Sequence, residues 1–509
     1  MFCTIHSMGI EGMRSYQVSI EVDIASGMTS FEMVGLPGAA VKESRDRVQA
    51  ALKNCGFQFP VKKVTINLAP ANIKKTGPLF DLPLFMGILL ATKQIASLPE
   101  SSVFIGELSL NGELRRSDGI LPMAIQAHKL GFENIFLPLE NAKEASAVPG
   151  IHVYGIRHVK ELTDHCAGSN VLEPMKRTVR KKNLPSDLPD FADVKGQFIA
   201  KRALEIAAAG GHNVLLIGPP GAGKSMLAKR MPSILPPMTN QELEQTSTIY
   251  SIAGLLNSSQ PIISHRPFRA PHHNISASGL VGGGNPPQPG ELSLAHNGVL
   301  FLDELPEFHR DAKEVLRQPM EDRCIRVTRG TQTMTYPCAT TVIAAMNPCP
   351  CGHYGDPNRE CICSPSKVHS YLTKISGPLL DRIDLHVDVN PVDYDLLAKK
   401  EKAESSAQIR ERVIAARKIQ QERFKNTKIS SNAYIPPGLL HHFCVMTNEA
   451  NQTLKTAFLK LDLSARAYDR LLKSARTIAD LENEPIIQEA HVAEAVQYRS
   501  LDRKYWSVI

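Results

Sequence analysis

The sequence predicts a multidomain α/β protein: an N-terminal α+β domain, a central α/β core with a parallel sheet, and a C-terminal helical lid. Three observations carry this reading. Up to about Gly168, strand-like runs (TSFEMVGL, KVTINLAP, SVFIGELSL, NIFLPLE) are mixed with helical ones such as AAVKESRDRVQAALKNCG, which suits a compact α+β domain. Between Asp190 and Val392, four short apolar runs (NVLLIG, GVLFLDE, TTVIAAMN, LHVDV) are separated by helices and loops. Runs this apolar, without alternation, suit a parallel sheet covered on both faces. From Asp393 onward the chain is helical and charged, as in AESSAQIRERVIAARKIQQERF and SARAYDRLLKSARTIADLE.

Length and composition agree. At roughly 150 residues per domain, 509 residues suggest about three domains, taken as 1–168, a linker over 169–189, a core over 190–392 and the lid over 393–509. With 43% hydrophobic and 21% charged residues the composition is that of ordinary globular proteins, which excludes wholesale disorder and a disulfide-dense scaffold. The longest apolar stretch, Leu79 to Ala91, contains Asp81 and falls well short of the ~20 residues that span a bilayer. The opening residues alternate as a strand does and lack a secretory pattern, so the expectation is a cytoplasmic protein without a membrane span. Its ten cysteines are then mostly free buried thiols. The net charge of +7 permits a nucleic-acid partner without demanding one. The stretch Glu173 to Phe191 is the clearest linker, and its cations Lys176, Arg177, Arg180, Lys181 and Lys182 read either as a solvated run or as a nucleic-acid contact.

The chemistry concentrates in the core. GPPGAGKS, Gly218 to Ser225, follows a strand and opens a helix, fitting G-x-x-x-x-G-K-[ST]. The backbone of Gly218, Pro219, Pro220, Gly221, Ala222, Gly223, Lys224, Ser225 and Met226 is placed to turn N–H groups onto phosphate oxygens at a helix N-terminus. Lys224 would reach the β and γ phosphates of ATP and Ser225 would ligate Mg²⁺. GVLFLDE ends in two carboxylates: Asp303 is placed to hold Mg²⁺ through water and Glu304 to deprotonate an attacking water. TTVIAAMNP ends in Asn347, whose amide can bond a γ-phosphate or close an Asn-Pro turn. Arg382 in LLDRID and Arg466 in SARAYDR follow.

The order GPPGAGKS, GVLFLDEL, AAMN, LLDRID, SARAYDR resembles an AAA+ ATPase. That resemblance implies Asn347 as sensor 1, Arg382 as an arginine finger acting on a neighbouring subunit's ATP, Arg466 as the sensor 2 arginine, and a homo-hexameric ring. DFADVKGQ, AAAGGHN, RPFRAPHHNIS, GGGNPPQPGELSLAHNGVLFLDEL, LRQPMED, AAMNPCPCG and SGPLLDRIDLHVDV resemble, more narrowly, the magnesium-chelatase-like YifB/ComM group. That group implies an ATPase promoting DNA branch migration in natural transformation, with single-stranded or branched DNA and recombination proteins as partners. Two other readings are a chelatase-type remodelling ATPase acting on a protein partner and a transcriptional activator; the latter's G-A-F-T-G-A loop is absent.

The first domain resembles the Lon-protease-like domain of these proteins. Where Lon proteases carry a catalytic Ser and Lys, this chain reads TGPLFD and DGIL, placing Leu79 and Leu121 at the two positions. Neither nucleophile nor base remains, so the expectation is a binding or assembly module and not a protease.

Two core inserts are candidate DNA-gripping elements. One runs from about Thr246 to Gly284 with Arg266, Arg269, His272 and His273; the other, Cys324 to Cys338, alternates like a β-hairpin turning at Arg329 to Thr331 and carries Arg326 and Arg329. By resemblance these are the helix-2 insert and pre-sensor hairpin, whose cations would track phosphates without reading bases. They equally suit subunit contacts, with the His pair packed. Finally, Cys349, Cys351, Cys361 and Cys363 fall within fifteen positions. They read as a tetrahedral Zn²⁺ site, as free or redox-sensitive thiols, or as disulfides; the C-x-C spacing is tighter than the usual C-x₂₋₄-C.

Overall fold

The computed structural model describes residues 1–178, 188–284, 287–329, 332–356, 359–392 and 403–506. They fall into two compact units, Met1–Lys182 with Leu243–Ser264, and Asn183–Glu242 with His265–Ile509.

The first unit is built on a seven-stranded mixed sheet. Its order is Ser30–Val34, Lys63–Ala69, Arg14–Ala25, Phe2–Glu11, Ser102–Phe104, Asn134–Pro138, His152–Ile156. The N-terminal run is not one strand but a hairpin, with Glu11 opposite Arg14 and Gly12 at φ 58° in the turn. The tight turn needs a positive φ, which glycine supplies without steric cost. The apolar stretch singled out in the sequence becomes the helix Asp81–Ala91, buried at every position but Leu90. Its one acid, Asp81, accepts from Arg47 Nε at 2.6 Å and from the Leu108 amide at 3.1 Å, which satisfies a carboxylate that would otherwise be costly to bury. The linker's first half, through Thr178, is tied to this unit by Met175 N to Val153 O (2.7 Å) and Thr178 N to Ser146 O (3.2 Å). Arg180, Lys181 and Lys182 lie outside the described residues.

The front of the expected helix-2 insert also belongs to this first unit. Ser251 accepts the Gly119 amide on its carbonyl (3.0 Å) and the Leu121 amide on its hydroxyl (3.2 Å), and Arg116 donates to the carbonyls of Gly254 and Leu256 at 2.7 and 2.8 Å. These contacts are far apart in sequence, which is why local pattern assigned the segment to the core.

In the second unit the four apolar runs are four of the five strands of a parallel sheet. Its order is Phe268–Arg269, Val299–Leu302, Thr341–Met346, Val214–Ile217, Leu385–Asp388. The edge strand Phe268–Arg269 is two residues long and left no periodic signal. These four strands are fully buried apart from Asp388, as a doubly covered parallel sheet requires. The C-terminal helices Ser406–Arg423, Ala465–Leu481 and Glu489–Gln497 form as expected, the first with a Ser405/Gln408 capping box. Their apolar faces share one continuous core with the sheet, including Leu204, Leu216, Ile343, Val413, Leu471 and Val492. The segment Cys324–Arg329 pairs antiparallel with Gln332–Pro337, the expected hairpin; Ile325, Val327, Met334 and Tyr336 are buried while Arg326 is exposed. Residues 330–331 of its turn lie outside the described residues. Among the described residues no helix is long and apolar enough to cross a membrane.

Candidate active site

In a parallel α/β sheet the carboxyl ends of the strands open onto loops, and ligands gather there. Three adjacent strands deliver chemistry to this edge. Val214–Ile217 runs into the phosphate loop and the helix Lys224–Ile234. Gly221 and Gly223 adopt φ of 78° and 92°, so the loop folds back in a conformation other residues resist. At Gly218 a Cβ would lie 2.1 Å from the Val389 carbonyl; only glycine fits between these strands. Gln197 braces the loop from outside, donating to Ala222 O at 3.0 Å and Asn390 O at 2.6 Å.

Lys224 Nζ donates to Gly218 O (2.7 Å), Pro219 O (2.9 Å) and Asn347 Oδ1 (3.0 Å). All three acceptors are neutral, and the side chain is buried. Burial therefore pushes its pKa down to about 8, with Asp303 and Glu304 opposing the shift. A cation held this way gains strongly from an anionic ligand. Ser225 Oγ donates to Asp303 Oδ2 at 2.6 Å. A hydroxyl so placed can take one position in a Mg²⁺ shell while the Asp303 carboxylate beside it holds the ion through a water. Glu304 occupies the left-handed region at φ 54° and is largely exposed, its amide bonded to Asp303 Oδ1 at 3.1 Å. Met226, on the first helical turn, is also exposed.

One contact escaped sequence reasoning. His273 Nδ1 lies 3.4 Å from Glu304 Oε2, and its ring stacks against His272 at 4.1 Å. The insert thus reaches the carboxylate proposed as base; only the HH dipeptide hinted at it.

The predicted arginines divide differently. Arg382 and Arg466 lie at the opposite, amino edge of the same sheet. Arg382 comes just before the strand Leu385–Asp388; it is 8% exposed, donates to Pro378 O at 2.6 Å and pairs with Glu321 at 2.9 Å. Arg466 is exposed and lines a cleft of about 320 Å³ together with Asn213, Glu321, Asp384 and Arg470. Asn213 and Asp384 immediately precede two adjacent strands of the sheet. With about 3.3 Å per strand residue, a four-residue strand separates this cleft from the chain's own phosphate loop. Asp384 is the anchor here: its carboxylate accepts from Arg470 (2.6 Å) and the Asn213 amide (2.8 Å). Burial pushes this carboxyl up, but the Arg470 guanidinium overrides it and holds it far below the usual carboxylate range. Asp384 and Arg470 both sit inside motifs noticed for a different residue.

Arg266 bonds Pro236 O, Asn297 O and both oxygens of Glu242, and Arg269 holds Glu291 with two contacts of 2.6 Å. Arg326 remains exposed; the side chain of Arg329 lies outside the described residues. In the first unit Leu79 and Leu121 are buried at 7% and 3%. All ten cysteines are free, which removes the disulfide reading of the cluster.

Phosphate loop, paired carboxylates and amide on one parallel-sheet edge define a P-loop ATPase core of the AAA+ class. Comparison with known proteins narrows this. The family model for magnesium chelatase, subunit ChlI, matches residues 190–397, that for subunit ChlI of Mg-chelatase residues 20–141, and the ChlI C-terminal model residues 403–499. The chain is 43% identical over 503 residues to the protein YifB of Salmonella typhimurium, covering 98% of this chain and 97% of the relative. It is 42% identical over 507 residues to competence protein ComM of Haemophilus influenzae, with coverage of 98% and 97%. Lon protease 2 of Bacillus subtilis is 30% identical over 166 residues, 30% of this chain and 27% of that protein. The chain belongs to the YifB/ComM magnesium-chelatase-like family of AAA+ ATPases.

Proposed function

We propose that the protein is a cytoplasmic homo-hexameric motor that hydrolyses ATP to drive branch migration of DNA in recombination during natural transformation. The single observation that carries the ring is the placement of Arg382 and Arg466 on the sheet edge opposite their own phosphate loop. An arginine finger there serves a neighbour's ATP and not its own. The DNA reading is supported by kinship to a competence protein and by the exposed Arg326 on the hairpin.

Mg²⁺-ATP, when bound, supplies an activated γ-phosphoryl group. Lys224 would hold its β and γ oxygens, Ser225 and Asp303 would hold the ion, and Asn347 Oδ1, which accepts from Lys224 Nζ at 3.0 Å, would position that ammonium. Glu304 takes the proton of the attacking water, and His273 orients that carboxylate. Arg382 from the adjacent subunit meets the charge developing on the phosphoryl oxygens once Glu321 releases it.

The test is ATPase rate and assembly measured with single-stranded, duplex and branched DNA, beside Arg326→Ala combined with Arg329→Ala. Expected is stimulation by DNA that the double variant loses, together with weaker DNA binding, while basal hydrolysis survives. If no DNA form alters either readout, the motor acts on a protein partner as a chelatase-type remodeller.

A further inference from the structure

We infer that Cys349, Cys351, Cys361 and Cys363 form a tetrathiolate zinc site that clamps the loop after Asn347 against the phosphate loop. This goes beyond the ATPase and DNA readings and does not depend on the DNA reading.

The geometry is that of a metal shell. The four Sγ atoms lie within 4.8 Å of one another, with Cys349 to Cys351 at 3.3 Å, Cys349 to Cys361 at 3.7 Å and Cys351 to Cys361 at 3.6 Å. A tetrahedron with Zn–S bonds of ~2.3 Å has sulfur edges of about 3.8 Å, whereas a disulfide requires about 2.05 Å. The two edges to Cys361 lie within about 0.2 Å of the first value, the Cys349–Cys351 edge is shorter, and none approaches the second. The tight C-x-C spacing is accommodated by a turn in which the Gly352 amide donates to Cys349 O at 3.0 Å.

The Tyr354 amide donates to Cys349 Sγ at 3.3 Å, an outer-shell hydrogen bond of the kind that orients a metal ligand. An all-sulfur, four-ligand set selects Zn²⁺ over the oxygen-seeking Mg²⁺ of the neighbouring site. On binding, four S–H bonds give their protons to solvent as four Zn–S bonds form; no electrons move, and the site carries a charge of −2.

The position gives the metal a task. Gly352, directly after Cys351, adopts φ 84°, and a Cβ there would lie 2.4 Å from Cδ of Pro220 in the phosphate loop. Cys349 lies two residues after Asn347, whose Oδ1 holds Lys224. A closed metal site therefore fixes both the strand end that bears Asn347 and the packing that supports GPPGAGKS.

The experiment is zinc analysis of the full-length chain purified without chelator, followed by replacement with Co²⁺. Expected are about one zinc per chain and the intense sulfur-to-cobalt charge-transfer bands of a tetrahedral tetrathiolate. Cys361→Ser combined with Cys363→Ser should lose the metal and weaken ATP binding roughly three- to tenfold. Cys3→Ser combined with Cys166→Ser, outside the cluster, should retain both. Less than about 0.2 zinc per chain after incubation with excess Zn²⁺, or full zinc retention by the Cys361/Cys363 variant, overturns the site. Should that variant fail to fold, the cobalt spectrum of the unaltered chain decides: tetrathiolate bands support the site and their absence overturns it.

Discussion

The two edges of the second unit's parallel sheet differ in how they hold charge. At the carboxyl edge Lys224, Ser225, Asp303 and Asn347 bond one another or neutral carbonyls, and Glu304 is mostly exposed. Those groups are incompletely neutralised, as a site awaiting an anion and a cation must be. At the amino edge Asp384–Arg470 and Arg382–Glu321 are closed ion pairs, two of their four members nearly excluded from water. Open charge marks the edge that acts on its own ligand; paired charge marks one that either holds the fold or is released on contact with something else.

Mixing variants tests the largest consequence. Glu304→Gln and Arg382→Ala should each lower kcat roughly a thousandfold while ATP binding persists. Mixed together, the two should recover a measurable share of activity, because some interfaces combine an intact Glu304 with an intact Arg382. A mixture no more active than its parts would mean that both edges serve one chain.

Asp384→Asn comes next and affects stability. Removing one partner of a buried pair leaves Arg470 uncompensated, at a cost of about 3–5 kcal/mol, read from urea unfolding at pH 7. The carboxyl is held below its unfolded value of about 3.9, so its contribution is complete above that pH and lost as pH falls through the folded pKa. The gap between the two proteins should therefore narrow in acid; a gap independent of pH from 7 to 3 would show that charge is not the cause. The smallest effect is expected at His273→Ala. Losing one weak contact to Glu304, worth about 0.5–1.5 kcal/mol, should change kcat roughly two- to tenfold with ATP affinity unaltered. An unchanged kcat would remove His273 from the site.

The first unit offers a second contrast. Leu79 and Leu121 are buried as neutral apolar side chains, whereas the phosphate-loop Lys224 is a buried cation.

Legibility followed the range of the interactions. GPPGAGKS and GVLFLDE could be read directly because a strand, a turn and a helix N-terminus are local, and their spacing alone places the polar atoms. The helical C-terminal segment was legible for the same reason. The ion pairs of Arg266 with Glu242 and of Arg269 with Glu291 were not legible, because the partners lie more than twenty residues apart in sequence. The pairing of His273 with Glu304 and of Gly352 with Pro220 also joins distant segments.

The sequence by itself determined that the chain carries a phosphate loop on a parallel sheet, paired carboxylates after a buried strand, and a four-cysteine cluster. Tertiary structure alone decided that Leu243–Ser264 packs with the first unit and that the C-terminal helices share the core of the sheet. It also placed two of the arginines on the far edge from the phosphate loop. The reason is physical: strand and turn patterns arise from nearest neighbours along the chain, whereas the edge a side chain occupies, and the charge that meets it, follow from strand order and packing.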